Sequence, residues 1–386
     1  MTPLQQGSRT AARTFLLALG YFALFRGALF LFDYVGIHLM PPVAPCRQQW
    51  EPFGAGHNFW NGFFRWDGGW YRSIILNGYV FRPQGASSTA FYPLFPYLSK
   101  WLGAVVGSPF VAGLIISNVA TVGGLYYLLE LGGRFFEDAI VERAVVLLLV
   151  FPTSFFQSCF YTEGIFFCMA AASMSHFYRD RYVTAGVFGG LSMLSRSWGL
   201  VLFAALAGEL AWRLLRRQTR FRPSMLGLAL IPAGFGVFML VLHYTVGDAM
   251  AFFKAMSNWG RVRSLPWATL VDAFGSRTLL LPEQFAATQR VLDAVAAVGF
   301  LGIGGTMLWQ GFPLAMCLFV LGGVLLPLST YNLDSMGRYT LSLFPAFFWL
   351  GKVSVHHPRV DRLLMFGFAF FLAIYSLRFM RCGWAG

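Results

Sequence analysis

The sequence predicts an all-α polytopic membrane protein of about eleven transmembrane helices, with two long external segments that carry amphipathic surface helices. Three observations predict it. Of the 386 residues, 57% are hydrophobic and only 12% are charged, a balance that no soluble domain of this length carries without aggregating. Apolar runs long enough to span a bilayer recur along the chain. Between them, arginines collect in short turns, as they do on the cytoplasmic side of membrane proteins. There is no repeat of fixed period and no separate soluble domain. Residues 1–386 therefore read as one integral membrane domain, with a first external segment at 34–101 and a second at 247–287.

The charge balance narrows the partners. Of the 29 basic residues only Lys100, Lys254 and Lys352 are lysines, and arginine suits bidentate phosphate contacts and lipid headgroups. No motif interleaves basic residues with exposed aromatics on a soluble surface, so membrane lipid and not nucleic acid is the expected partner. The cysteines Cys46, Cys159, Cys168, Cys317 and Cys382 show no CxxC spacing and suggest neither a metal site nor a disulfide framework.

Taken in order, the chain enters an apolar run from Thr14 to Phe32 behind Arg9 and Arg13, which reads as an uncleaved first helix with a cytoplasmic N-terminus. Arg26 lies inside this run, where it must snorkel or face a protein interior. The following spans fall near 102–129, 144–160, 162–178, 183–196, 198–212 and 225–246, several short and broken by Pro152, Gly164 or Gly199. Short, interrupted helices of this kind usually line a cavity. The arginine-bearing turns 134–143, 179–181, 213–222 and 352–362 read as cytoplasmic. After the second external segment come spans near 290–308, 313–328, 339–351 and 363–379. With this topology Asp67, Glu163, Arg196, Asp248, Arg261, Arg263, Asp334 and Arg338 all fall on the external side. A transporter needs polar residues reachable from both faces.

The stretch Phe63-Phe64-Arg65-Trp66-Asp67-Gly68-Gly69-Trp70-Tyr71 is the first candidate for chemistry. A helix over 59–74 places Phe59, Phe63, Trp66, Trp70 and Ile74 on one stripe and puts Asp67 among them, with Arg65 and Arg72 opposite. An unpaired carboxylate in such surroundings is kept available as a proton acceptor. The plainer reading makes Asp67 an N-cap or an ion-pair partner of Arg65 or Arg72, with Gly68-Gly69 a turn. Glu163 and Arg196 each interrupt apolar runs. They form either a buried ion pair bracing neighbouring helices, or a site in which Glu163 orients a hydroxyl or a metal while Arg196 meets an anion. Residues 248–259 read as an external helix capped by Asp248, with Phe252, Met256 and Trp259 on its apolar face. Arg338 begins a late span and either clamps a phosphate or snorkels.

Several of these motifs together resemble a known family. They are Trp66-Asp67 through Asn77-Gly78-Tyr79, Ala90-Phe91-Tyr92-Pro93-Leu94-Phe95-Pro96, Tyr161-Thr162-Glu163, Ser195-Arg196-Ser197, the Gly247-Asp248 to Trp259-Gly260-Arg261 block and Gly337-Arg338-Tyr339. Their order over residues 14–350 resembles the PIG-V-like mannosyltransferases of the GT-C superfamily of polytopic glycosyltransferases. The resemblance implies transfer of a sugar from a polyprenyl-phosphate donor to an acceptor on the external or lumenal face, usually with inversion. It also implies that Asp67, an acid in the first external loop, is the catalytic carboxylate. Thr162-Glu163 departs from the family's common Ser-Glu pair. The chain is shorter than eukaryotic members, so the acceptor need not be a GPI precursor.

The expected activity is thus that of an inverting glycosyltransferase, a mannosyltransferase acting on an unspecified glycan, lipid or protein acceptor. The alternative is a lipid or sugar-lipid transporter without transfer chemistry. Asp67 and Glu163 are the expected catalytic residues, and Arg196, Arg261, Arg338, Trp66, Trp70 and Tyr161 the expected substrate- and phosphate-binding ones. No cofactor is required in this reading. Its strongest rival uses Asp67 and Glu163 as ligands of a divalent cation, Mg²⁺ or Mn²⁺, through carboxylate oxygens. His57, ten residues before Asp67, is the nearest histidine, without recognisable ligand spacing. The expected location is a bacterial inner membrane with the site facing the periplasm, or else the endoplasmic reticulum membrane with a lumenal site.

Overall fold

The computed structural model describes residues 9–40, 51–54, 58–275, 285–331 and 333–385. Cys46, His57 and part of the second external segment lie outside the described residues. The first helix, α1 (Ala11–Leu39), opens on Thr10, whose hydroxyl accepts the amide of Arg13. Leu16, Leu24 and Leu31 stand exposed on it, as a lipid-facing helix requires. Arg26 faces the protein. It donates to the Ser154 hydroxyl at 3.1 Å, the Ser154 carbonyl at 2.7 Å and Gln157 Oε1 at 3.0 Å. These bonds pin the 3-10 turn Ser154–Ser158 that leads into Tyr161-Thr162-Glu163.

The first external segment carries α2 (Asn58–Gly62), α3 (Gly68–Asn77) and α4 (Leu94–Val106). The continuous helix expected over 59–74 is broken, because Trp66 adopts the left-handed region at φ 55° and a turn separates α2 from α3. The expected span 102–129 is broken as well. Gly107, at φ 88°, ends α4, and the Ser108 hydroxyl caps α5 (Pro109–Gly132), whose first residue is a proline that needs no amide donor there.

The bundle continues through α6 (Asp138–Val150), α7 (Glu163–Phe177), α8 (Tyr182–Met193), α9 (Trp198–Leu215) and α10 (Leu230–Val246). Helix α6 stops before Pro152, so the expected span 144–160 is half helix and half irregular backbone. Helix α7 packs on α5 and on α8, which in turn packs on α10. Small residues allow these approaches. A Cβ added at Gly164 would stand 2.5 Å from the Ser117 carbonyl, and one at Gly234 would stand 2.5 Å from that of Gly190. The second external segment holds α11 (Ala251–Asn258) and α12 (Pro266–Gly275). Asp248 is not the expected N-cap of α11, a position taken by Met250; it lies in the turn before it, accepting the Met250 amide at 2.9 Å and Lys254 Nζ at 2.7 Å.

The chain closes with α13 (Phe285–Trp309), α14 (Leu314–Leu328), α15 (Met336–Leu341), α16 (Ala346–His356) and α17 (Pro358–Met380). Six described helices have the length and composition to cross a membrane: α1, α5, α9, α13, α17 and the unit Pro223–Val246 that includes α10. The other apolar segments read from the sequence fall on α6, α7, α8, α14 and α16, of 13, 15, 12, 15 and 11 residues. The protein is an integral membrane protein, and one of the short helices, α7, carries Glu163 at its start. Cys382, just past α17, is disulfide-bonded, which corrects the expectation of no disulfide, while Cys159, Cys168 and Cys317 are free and buried. The lack of CxxC spacing does not exclude a bridge, which needs only spatial proximity of its sulfurs.

Candidate active site

The Trp66 turn positions the first candidate. By turning left-handed, Trp66 reverses the chain so that Asp67 lies at the N-cap position of α3, yet the Asp67 side chain makes no cap bond there. Tyr161 holds the turn from below: its hydroxyl donates to the Arg65 carbonyl at 2.8 Å and accepts the Asp67 amide at 3.1 Å. With its backbone fixed, the Asp67 carboxylate is free to point away from α3. It accepts from Arg338 Nη1 at 2.8 Å. Neither Arg65 nor Arg72 takes the part of ion-pair partner expected from the sequence.

Arg338 rides on α15, a six-residue helix whose start is held twice. Gly337 donates its amide to Asp293 Oδ1 at 2.7 Å, and its carbonyl accepts from the Thr153 hydroxyl at 2.9 Å. The guanidinium is buried and lies over the rings of Phe156, Tyr161 and Tyr339, at 5.3, 5.6 and 5.7 Å from their centroids. Its Nε approaches Glu163 Oε1 at 3.4 Å. Glu163, the first residue of α7, is 2% exposed and also takes a short ion pair from Arg196, which precedes α9. The pairing expected of Glu163 and Arg196 is therefore present, but as part of a longer row. Asp67, Arg338, Glu163 and Arg196 alternate in sign.

Each member of that row is needed by the next, since a buried charge without a partner costs several kcal/mol. Arg196 extends the row to Tyr339, lying 5.8 Å from its ring centroid and 5.4 Å from that of Trp198. Arg261, from the second external segment, donates to the Tyr339 hydroxyl at 2.8 Å and to Thr330 Oγ1 at 3.3 Å. Three of the expected phosphate-binding arginines thus converge on one tyrosine. Arg338 touches both expected catalytic carboxylates.

The aromatic candidates serve different ends. Tyr161 is buried and braces the turn. Trp66 is 41% exposed, donates its indole N–H to the Gly383 carbonyl at 3.2 Å and meets Trp384 edge to face at 5.0 Å. Trp70 stacks on Phe91 at 5.7 Å and meets Trp259 at 5.3 Å. That contact, with the Trp259 indole donating to the Ser87 carbonyl at 3.4 Å, joins the two external segments beside the site.

A divalent cation fits poorly here. Asp67 Oδ2 and Glu163 Oε1 face the same guanidinium, so the position that a metal bridging them would take is filled by Arg338. Among the described residues no group of three His, Cys, Asp or Glu side chains is arranged to hold a metal. The sequence reading placed Arg26 in a protein interior, as found, without giving it a part in the site, and it missed Thr153 and Asp293. Asp293, like Arg26, is an ionisable residue inside an apolar span, a signal sufficient to flag it. Thr153 carries no such signal.

No family model matches this chain, and no curated protein matches it by sequence. Among solved structures, ArnT from Cupriavidus metallidurans bound to undecaprenyl phosphate matches with a TM-score of 0.53 and 14% identity, over 91% of this chain and 63% of that one. The oligosaccharyltransferase of Archaeoglobus fulgidus in its apo form matches with a TM-score of 0.46 and 13% identity, over 94% and 56%. The chain therefore spans between 56% and 63% of the length of these two structures. The likeness to ArnT shows that the two chains share a fold.

Proposed function

We propose that this chain is an inverting glycosyltransferase that moves a sugar, mannose, from a polyprenyl-phosphate donor to a hydroxyl of an acceptor on the membrane face that carries Asp67. The observation that carries the reading is the buried row Asp67, Arg338, Glu163 and Arg196, set at one end of a fold shared with ArnT. In this reaction the bond between the anomeric carbon and the phosphate oxygen breaks while the acceptor oxygen bonds to that carbon. The acceptor's proton passes to Asp67, and the polyprenyl phosphate leaves with the bonding electron pair.

Each residue has a task in that step. Asp67 acts as the base, held in one orientation by Arg338. The departing phosphate gains charge, and Arg196 and Arg261, converging on Tyr339, supply the compensating positive field. Glu163 keeps Arg196 and Arg338 apart and fixed. In this reading Arg338 does the work that a metal would do, and no divalent ion is required. Two features favour an outward-facing site. The arginine-bearing turns lie at the opposite end of the bundle, and the disulfide at Cys382 follows the helix whose tail packs on Trp66, as an oxidising compartment allows. The choice of mannose rests on the order of the sequence motifs.

The test is transfer by the purified chain in lipid nanodiscs, supplied with radiolabelled mannose on a synthetic polyprenyl phosphate and with membrane-extracted acceptors. Labelled product that depends on Asp67 is expected. Turnover with another sugar on the same lipid would keep the enzyme and correct the sugar. If no polyprenyl-phosphate sugar is consumed, the transporter reading replaces this one.

A further inference from the structure

Arg65 belongs to none of the interactions described above except through its backbone. Its side chain is only 3% exposed, and its Nε and Nη1 have no hydrogen-bond partner among the described residues. Leaving two guanidinium N–H groups buried and unmatched is costly, and a bound ion or water is one way in which such groups are satisfied. Glu51, the carboxylate that acts on it most strongly, is exposed and makes no salt bridge to it among the described residues.

The neighbour across the turn is a second arginine. Gly62 lies against Met380, and Trp66 against Gly383 and Trp384, so the segment between, with Arg65, faces residue 381. Arg381 is half-buried, and its Nε likewise lacks a partner among the described residues. Burial pushes the Arg65 guanidinium below its ordinary value, and, against the pull of Glu51, the like charge of Arg381 pushes it further down. Two arginines brought together against this penalty describe a cradle for a doubly bonded anion. The residues flanking the two arginines in the chain, Phe63, Phe64, Phe379 and Met380, are apolar and buried, while Trp66 beside them is 41% exposed.

We infer that Arg65 and Arg381 form a second anion subsite, which takes the phosphate group of a membrane lipid on the far side of the Trp66 turn from Arg338. The subsite deepens the proposed reaction by placing a phosphate-bearing lipid two residues from the Asp67 base, and it rests on that reading only for the lipid's part in transfer. An isoprenoid phosphate and a glycerophospholipid headgroup present the same chemistry.

The full chain in detergent is titrated with undecaprenyl phosphate and, separately, with dioleoylphosphatidic acid, and bound lipid is counted by native mass spectrometry. Arg65→Gln and Arg381→Gln should each weaken binding of at least one lipid by about tenfold or more, the loss of charged hydrogen bonds. A loss confined to undecaprenyl phosphate assigns the subsite to the isoprenoid lipid, and one confined to phosphatidic acid assigns it to the glycerophospholipid. Arg381 is partly exposed, so Arg381→Gln decides the matter if Arg65→Gln does not insert. Absence of lipid binding by the wild type, or unchanged binding of both lipids in both variants, overturns the subsite. A chain that holds the lipid through Arg65 but transfers no sugar keeps the subsite and loses the enzymatic reading.

Discussion

The two ends of the helix bundle both carry ion pairs, but of different kinds. At the end with the arginine-bearing turns, Arg9 pairs with Asp138 and Glu142, Arg143 with Asp361, Arg179 with Glu130, and Arg213 with Glu209. These bridges tie helix ends together, and each has at least one member that is exposed or partly so. At the other end Arg338 is shared by two carboxylates and Glu163 by two arginines, all in the interior except for Asp67, which is partly open. Exposed bridges contribute about 0–1 kcal/mol each, whereas breaking a buried pair by removing one partner costs about 3–5 kcal/mol. Charge at the first end fastens the bundle. Charge at the second is concentrated where desolvation makes it expensive, which is how sites that stabilise a developing charge are built.

Substitutions can break this contrast in order of expected effect. Asp67→Asn keeps the shape and the contact with Arg338 but removes the proton acceptor, and sugar transfer should fall by about 10²–10⁴-fold with normal membrane insertion. Near wild-type turnover in well-folded Asp67→Asn protein would hand the base role to Glu163. Glu163→Gln leaves Arg196 and Arg338 without their shared counter-charge. Thermal unfolding in detergent should show a loss approaching about 3–5 kcal/mol together with lost activity. An unshifted melting curve would mean that Glu163 stabilises nothing in the resting protein.

Smaller effects sharpen the comparison. Arg338→Lys retains the charge but not the planar fork that reaches both carboxylates, and should lower turnover by about tenfold or more through the charged hydrogen bond it gives up. Full activity in the lysine variant would reduce Arg338 to a point charge. At the other end, Arg143→Gln should cost at most about 1 kcal/mol and leave transfer unchanged. Excess chelator should have the smallest effect of all, because Arg338 already fills the place between the carboxylates. Activity lost to chelation and restored by Mg²⁺ or Mn²⁺ would return Asp67 and Glu163 to the role of ligands.

How far the site was legible depended on how local its signals were. Glu163 and Arg196 were readable as partners because each is an isolated charge between apolar runs, and only so many counter-charges are available at that depth. Asp248 was misjudged as the cap of α11, because the helix starts two residues later than its neighbours suggest, with Met250 at the cap position. The break at Trp66 was hidden because the aromatic spacing fits a helix, and because the left-handed residue is a tryptophan although two glycines follow within three positions. Asp67 and Arg338 were both candidates, yet nothing local joins residues 271 apart. The arginine cradle at Arg65 and Arg381 was invisible for the same reason.

That separation of 271 residues also sets an order of assembly. A chain made at about 5–20 residues per second inserts Asp67 roughly 14–54 s before Arg338 emerges. Glu163 waits a much shorter time for Arg196, 33 residues later. Throughout that interval Asp67 is a carboxylate without its guanidinium, stranded beside a half-built bundle and open to whatever basic headgroup or insertion factor comes near. The last quarter of the chain then closes the row and, through Gly383 and Trp384, locks the Trp66 turn. The row of charges is therefore incomplete until the final helices arrive, so on the proposed reading a stalled chain lacks the arginine that orients Asp67.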